Sequence, residues 1–303
     1  MHLLRSEFLR ARSRRLVPMV IVAGLLAVLI SLGIAAIYAN APSSSEVAQA
    51  QATYGSYVVR CERQVDRTGV PSGAPYADAR TYCEHNVSPS INGFLLRDLD
   101  AILQGIATFV ILLGALLGAS LGGADWTSNT MQTLLTWEPR RTRVYLTRGL
   151  VIAVSVFAIT AFLQMVFAGV DVLVAASRGS TGFLPSDFWR SVALTIGRTS
   201  VMASAFGVIA YAVAMIGRST VASLGALVGY LILFEAVIAG FRPSIQGNLL
   251  VRSAIVIISH HPIFSDVSGA VLLGVPRAWL VVAVYTLVIA AGALIVFRRR
   301  DVT

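Results

Sequence analysis

Two cysteines, four histidines and 15 carboxylates are the residues with which this chain could do chemistry, and its basic side chains narrow that chemistry at once. All 24 of them are arginine. Without lysine there is no Walker-A P-loop, whose lysine holds the nucleotide phosphates, and no lysine Schiff base or serine–lysine dyad. Cys61, Cys83 and His85 share one polar stretch and leave two readings, a zinc site or a disulfide. Two thiols and one imidazole without a paired CxxC make a poor metal pattern, whereas an oxidising exterior joins thiols, so a Cys61–Cys83 bond and no metal are expected. Gly118 to Gly122 reads GASLG, formally a nucleophile elbow around Ser120, but it lies inside an apolar run, where small residues at helical spacing make a close packing face. His260 and His261 are adjacent and cannot face one way on a helix, which argues against a metal pair. Asp171, Arg198 and Glu235 remain, each within or at the end of an apolar run, where charges face a bundle interior or a water-filled path. Arg198 with Glu235 or Asp171 is expected to form an intramembrane ion pair or to line a substrate path.

The elements that must hold these groups follow from composition. A chain of 303 residues that is 56% hydrophobic and 13% charged, with a mean hydropathy of +0.75, is too apolar for an aqueous globule. A hydrocarbon core of roughly 30 Å needs about 20 apolar residues as helix. Runs of that length occupy residues 16–39, 102–121, 150–176, 192–216, 221–241 and 279–297, so the expected fold is an all-α integral membrane protein of six transmembrane helices. Arginines flank the first run at 1–15, fill the 122–148 loop and follow the last run at 298–303, and the positive-inside rule then puts both termini in the cytoplasm of a plasma (inner) membrane protein. The first run is read as a retained anchor, its apolar core being too long for a signal peptide.

Residues 40–100 then lie outside as a small cap stapled by the disulfide, introduced by a Ser/Ala-rich segment that extends a helix or acts as a tether. Residues 242–277 contain apolar pieces broken by His260, His261 and Pro262, too short to span, and are expected as re-entrant or interfacial helices between spans five and six. Tyr38, Trp126, Trp189 and Trp279 read as interface anchors. The 122–148 loop carries most information. Ser128 can cap a short helix, Met131, Leu134 and Leu135 share one face of it, and Pro139 stops it ahead of Arg140, Arg141 and Arg143. A rigid amphipathic helix between two membrane helices is either an interfacial turn whose arginines bind anionic headgroups or a knob for a cytoplasmic partner.

In that loop Asp125, Trp126, Thr130 and the stretch LLTWEPRR (Leu134 to Arg141, with Glu138, Pro139 and Arg140) resemble the permease subunits of type-2 ATP-binding-cassette (ABC) exporters of actinobacterial style. GRSTVASLGALVGYLILFE, from Gly217 to Glu235, is similar to the tight turn and fifth span of the same permeases. The family often carries Glu at the place of Asp125 and Lys at that of Arg148. The resemblance implies a single permease domain over residues 1–303, with a coupling helix in the 122–145 segment that enters a groove of separate ATPase subunits, where ATP and Mg are bound. It also implies a first segment, residues 1–15, lying along the inner membrane surface; Leu3, Leu4, Phe8 and Ala11 share an arc of a helical wheel there. The expected partners are the nucleotide-binding subunits, a second permease copy or related permease, membrane lipid, and a small-molecule, peptide, lipid or glycan substrate, with no nucleic acid; this chain itself is expected not to be an enzyme. The competing readings are a membrane-anchored sensor or scaffold whose external loop binds a ligand or protein, and an ion-driven carrier using Asp171 and Glu235.

Overall fold

The computed structural model describes residues 16–38, 42–71, 74, 76, 78–91, 93–127, 130–137, 140–238, 241, 243–264 and 271–299. Its elements are α1 (Leu16–Tyr38), α2 (Ser44–Thr68), α3 (Ala79–Asn86), α4 (Leu99–Thr127), α5 (Thr130–Trp137), α6 (Arg141–Arg178), α7 (Phe188–Gly217) and α8 (Thr220–Tyr230). A π-wound stretch (Leu231–Ile238) and a 3-10 turn (Pro243–Asn248) lead to α9 (Leu250–Ser259), strands β1 (Ile263–Phe264) and β2 (Val271–Leu273), and α10 (Val275–Arg299). Five of the described helical segments are long and apolar enough to cross a membrane: Leu96–Trp126, Arg141–Arg178, Phe188–Gly217, Thr220–Val237 and Val275–Arg299. The chain is a multi-pass membrane protein on that ground. Four of them outrun their expected apolar cores because helix continues through polar flanks that need no burial, whereas Thr220–Val237 is shorter than the expected 221–241 run. The expected all-helical segment after the fifth run is corrected in one respect: β1 and β2 pair antiparallel there, Ile263 opposite Leu273.

The chain divides into two compact units. The first comprises residues 1–22, 107–161 and 198–303. Its core is apolar, with Leu117, Met202 and Ile257 among the side chains shielded from solvent. Here α4 meets α7 along Gly114, Gly118 and Gly122, which face Ala203, Gly207 and Tyr211; a Cβ on Gly118 would collide with the Gly207 carbonyl oxygen. The GASLG stretch is therefore a packing face, since small residues let backbones approach and gain dispersion contact where lipid offers no hydrophobic drive. Hydroxyls stitch neighbouring helices by donating to carbonyls: Ser204 Oγ to Ala153 O (2.9 Å), Tyr211 Oη to Tyr145 O (3.0 Å) and Ser223 Oγ to Ala210 O (2.6 Å).

The second unit comprises residues 23–106 and 162–197. Leu99 and Leu103 of α4, Phe167 and Ala168 of α6, and Phe188 and Val192 of α7 form its main core with Val28 of α1. Within the Ser-rich lead-in, Ser43 and Glu46 close a capping box that starts α2. Cys61 of α2 and Cys83 of α3 are joined by a disulfide. Arg97 gathers the end of α3 by donating to the carbonyls of Val87 (2.9 Å) and Glu84 (3.2 Å). Leu96 N donates to Ser180 O (3.0 Å) and Ser180 N to Phe94 O (2.9 Å), pinning the α6–α7 connection to the start of α4.

Candidate functional site

The short helix α5 stands between two membrane-length helices, and the residues around it decide what it can do. Asp125, near the end of α4, and Arg148, two turns into α6, pair at 2.5 Å and are only 2% and 4% exposed. A charge so buried is tolerated only when paired, so the two carry each other into the protein and fix the separation of α4 and α6. Arg148 Nη1 also donates weakly to the sulfur of Met131 (3.7 Å), an α5 residue with no exposed surface. The pair and the thioether together form the floor on which α5 rests.

That geometry corrects part of the expected docking face. Met131 turns into the protein and presents nothing outward, because the polarisable sulfur has a cation to receive. Thr133 and Thr136 are exposed, as is Arg140, while Thr130 is half-buried. The side chains of Leu134 and Leu135, and Glu138, Pro139 and Ser128 altogether, lie outside the described residues, as does the 1–15 segment expected along the membrane. Arg141 donates to the carbonyl of Phe297 (3.5 Å) in the last turn of α10. Trp126 is half-buried against Met215, Arg218 and Phe297, which corrects its reading as a lipid-interface anchor.

The three charges within the spans fall in different settings. Glu235 accepts from Val251 N (2.7 Å) and from the Tyr230 hydroxyl (3.3 Å), while the same hydroxyl accepts from Leu250 N (3.0 Å). Residues five apart face each other in a π-wound turn, so Tyr230 and Glu235 jointly cap α9, whose own N-cap residue, Leu249, makes no side-chain bond. A carboxylate there also faces the positive end of the helix. Glu235 thus serves as part of the α9 cap. Arg198 belongs to the same unit as Glu235, and Asp171 to the other. Asp171 is 3% exposed, on the α6 face that carries Phe167 and Ala175 into the second core, and its Oδ2 has no hydrogen-bond partner among the described residues. His260 ends α9 in a left-handed conformation at φ 58; burial and then the nearby Arg198 hold its imidazole below the ordinary value.

The disulfide removes the zinc alternative, since both thiols are consumed and His85 engages Asp187 instead (2.8 Å) beneath the ring of Tyr76. Among the described residues no three His, Cys, Asp or Glu side chains group as a metal site. The neighbouring Glu84 accepts from Ser186 N (2.8 Å) and Arg80 Nε (2.9 Å). Burial pushes its carboxyl up, but these bonds outweigh burial and leave it below the ordinary 4.5. The cap is thereby clamped to the α6–α7 connection. Sequence reasoning missed Arg148 as the partner of Asp125, and the available signal was opposite charge on the two flanks of α5. No protein-family model matches this chain, and no curated protein matches it significantly.

Proposed function

We propose that this chain is the transmembrane permease subunit of an ABC exporter, with α5 as the helix through which separate ATPase subunits move it. The observation that carries the reading is the anchoring of α5 by Met131 onto the buried Asp125–Arg148 pair, with Thr133 and Thr136 left outward. A helix held rigidly from beneath and open above passes displacement to α4 and α6 rather than absorbing it. The all-arginine basic set supports a motor in another chain, where ATP and Mg would be held. On this reading α1 is a sixth span, both termini are cytoplasmic, the disulfide-bonded cap faces outward, and α9 with the ribbon enters the membrane from outside. Two permeases form the path, and ATP-driven closure of the ATPases switches it between inward and outward openings.

A second reading, a membrane-anchored sensor, is favoured by one feature of the cap. A cavity of about 300 Å³ there is lined by Glu46, Gln49, Ala50, Thr53, Ser90 and Ile91. Purification of the full chain from its native membrane, with any ATPase subunit that accompanies it, separates the two. Thr133→Arg and Thr136→Arg place long cations in the proposed contact and should cut ATPase recovery by roughly thirtyfold, as the loss of an anchor worth about 2 kcal/mol would. Recovery at wild-type yield from both variants refutes the coupling assignment, and a wild-type chain that binds no ATPase refutes the permease reading.

A further inference from the structure

Trp126 follows Asp125 directly, and its surroundings assign it a task the ion pair does not perform. Its indole Nε1 donates to the sulfur of Met215 (3.4 Å) in the last turn of α7. The Arg218 guanidinium lies 5.0 Å from its ring centre, and the Phe297 ring meets it edge-on at 6.3 Å and 88°. Arg218 sits in the tight turn between α7 and α8 at φ 53, a left-handed conformation that is uncommon outside glycine and needs its surroundings to hold it there. The indole supplies that hold by a cation–π contact. A single side chain at the end of α4 thus grips the α7–α8 turn and the last turn of α10.

The grip on α10 is doubled from α6. Tyr145 donates to the carbonyl of Ala290 (2.9 Å), its ring lies 6.2 Å from that of Phe297, and Arg141 donates to the Phe297 carbonyl. Only 22% of the apolar window of α10 is buried, so attachments at this end bear heavily on where the helix goes. We infer that Trp126 is a positioning residue that makes the α7–α8 turn and the end of α10 move as one body with α5. The inference rests on the permease reading for its purpose, since displacement of α5 would reach the last helix through the indole, but the mechanical tie stands on the contacts alone.

The test uses the full chain in detergent, alone and with its ATPase, and hydrogen exchange as the readout. Trp126→Ala removes all three contacts, and Phe297→Leu cuts the tie from the α10 side. Each should speed exchange across residues 290–299 about tenfold, the size expected for losing an aromatic pair with its neighbouring contacts, without altering the cap at residues 79–91. Trp126→Ala alone should also speed residues 214–222. Trp126→Phe keeps a ring between Arg218 and Phe297 and should restore wild-type exchange. In the ATPase complex, trapping with Mg-ATP and vanadate should change protection of α5 in every variant. It should change protection of α10 only where an aromatic ring stands at both 126 and 297, a pattern that general destabilisation would not give. Unchanged exchange at 290–299 in both Trp126→Ala and Phe297→Leu overturns the inference, as does a vanadate response of α10 that survives Trp126→Ala. If the wild-type chain binds no ATPase, the permease reading fails, and the exchange of the chain alone still decides the tie.

Discussion

Replacing Asp125 by Leu, Arg148 by Met, and then both, measures the pair beneath α5. Both side chains are at most 4% exposed, so either single change strands a charge that the protein cannot hydrate. Breaking a buried pair from one side costs about 3–5 kcal/mol, a fifth or more of the usual stability of about 5–15 kcal/mol. The double replacement removes both charges and sets a methionine beside Met131. It should recover most of the loss, because apolar side chains of similar volume commonly match or exceed a buried pair. The expected coupling energy is therefore at least about 2 kcal/mol, well beyond the scatter of about 0.5 kcal/mol between independent sites. Reversible unfolding in one fixed detergent, followed by tryptophan fluorescence, gives the four stabilities of the cycle. Single variants that are each neutral, or a double variant as unstable as the sum of the singles, would show that the pair does not hold the two helices.

Three further outcomes follow from other parts of the structure. Gly118→Val drives a side chain into the Gly207 carbonyl and should destabilise the first unit by about 3 kcal/mol or more, whereas Gly169→Ala, where nothing lies within 4 Å, should cost less than about 1 kcal/mol; thermal unfolding of the two variants compares them. Glu84 is held below its ordinary 4.5, so its contribution is present above that value and is lost as pH falls through the lower folded value. Protection across residues 179–187, taken relative to the intrinsic exchange rate at each pH, should accordingly fall on acidification in the wild type and stay flatter in Glu84→Gln; equal responses would remove Glu84 from the clamp. Reduction of Cys61–Cys83, which are 22 residues apart, should loosen α2 from α3 by about 3 kcal/mol, read as new protease cuts between residues 61 and 83, and an unchanged digestion pattern would refute it.

What the sequence disclosed and what it hid divide along physical lines. Apolar runs of membrane length, the pairing of two lone cysteines and the small-residue face at Gly118 were legible because each depends on local composition and spacing. The fate of polar side chains was not, because it depends on which helix end lies opposite. Glu235 looked like half of an ion pair, yet the π-wound turn around it brings its carboxylate to the unsatisfied N–H groups of α9, a partner that leaves no mark in charge pattern. Met131 looked outward by amphipathic spacing, but that argument assigns a face only relative to a known inside, and at α5 the inside is made by Arg148 across the loop. Trp126 looked like an interface anchor for the same reason: an aromatic at a helix end packs on lipid unless another helix end arrives first, as α10 does with Phe297.

The same distinction bears on Asp171. Asp171 is buried and its Oδ2 has no hydrogen-bond partner among the described residues, an arrangement that packing alone would not favour over asparagine or leucine. Leucine at that position adds apolar contact and removes an unsatisfied group, so if the residue served only packing, Asp171→Leu would hold or raise the stability of the full chain. The buried pair at Asp125 and Arg148 predicts the opposite response to a single change, because there each charge has a partner to strand. The two sites thus make opposite predictions for a single carboxylate replacement, a loss of stability at Asp125 and none at Asp171.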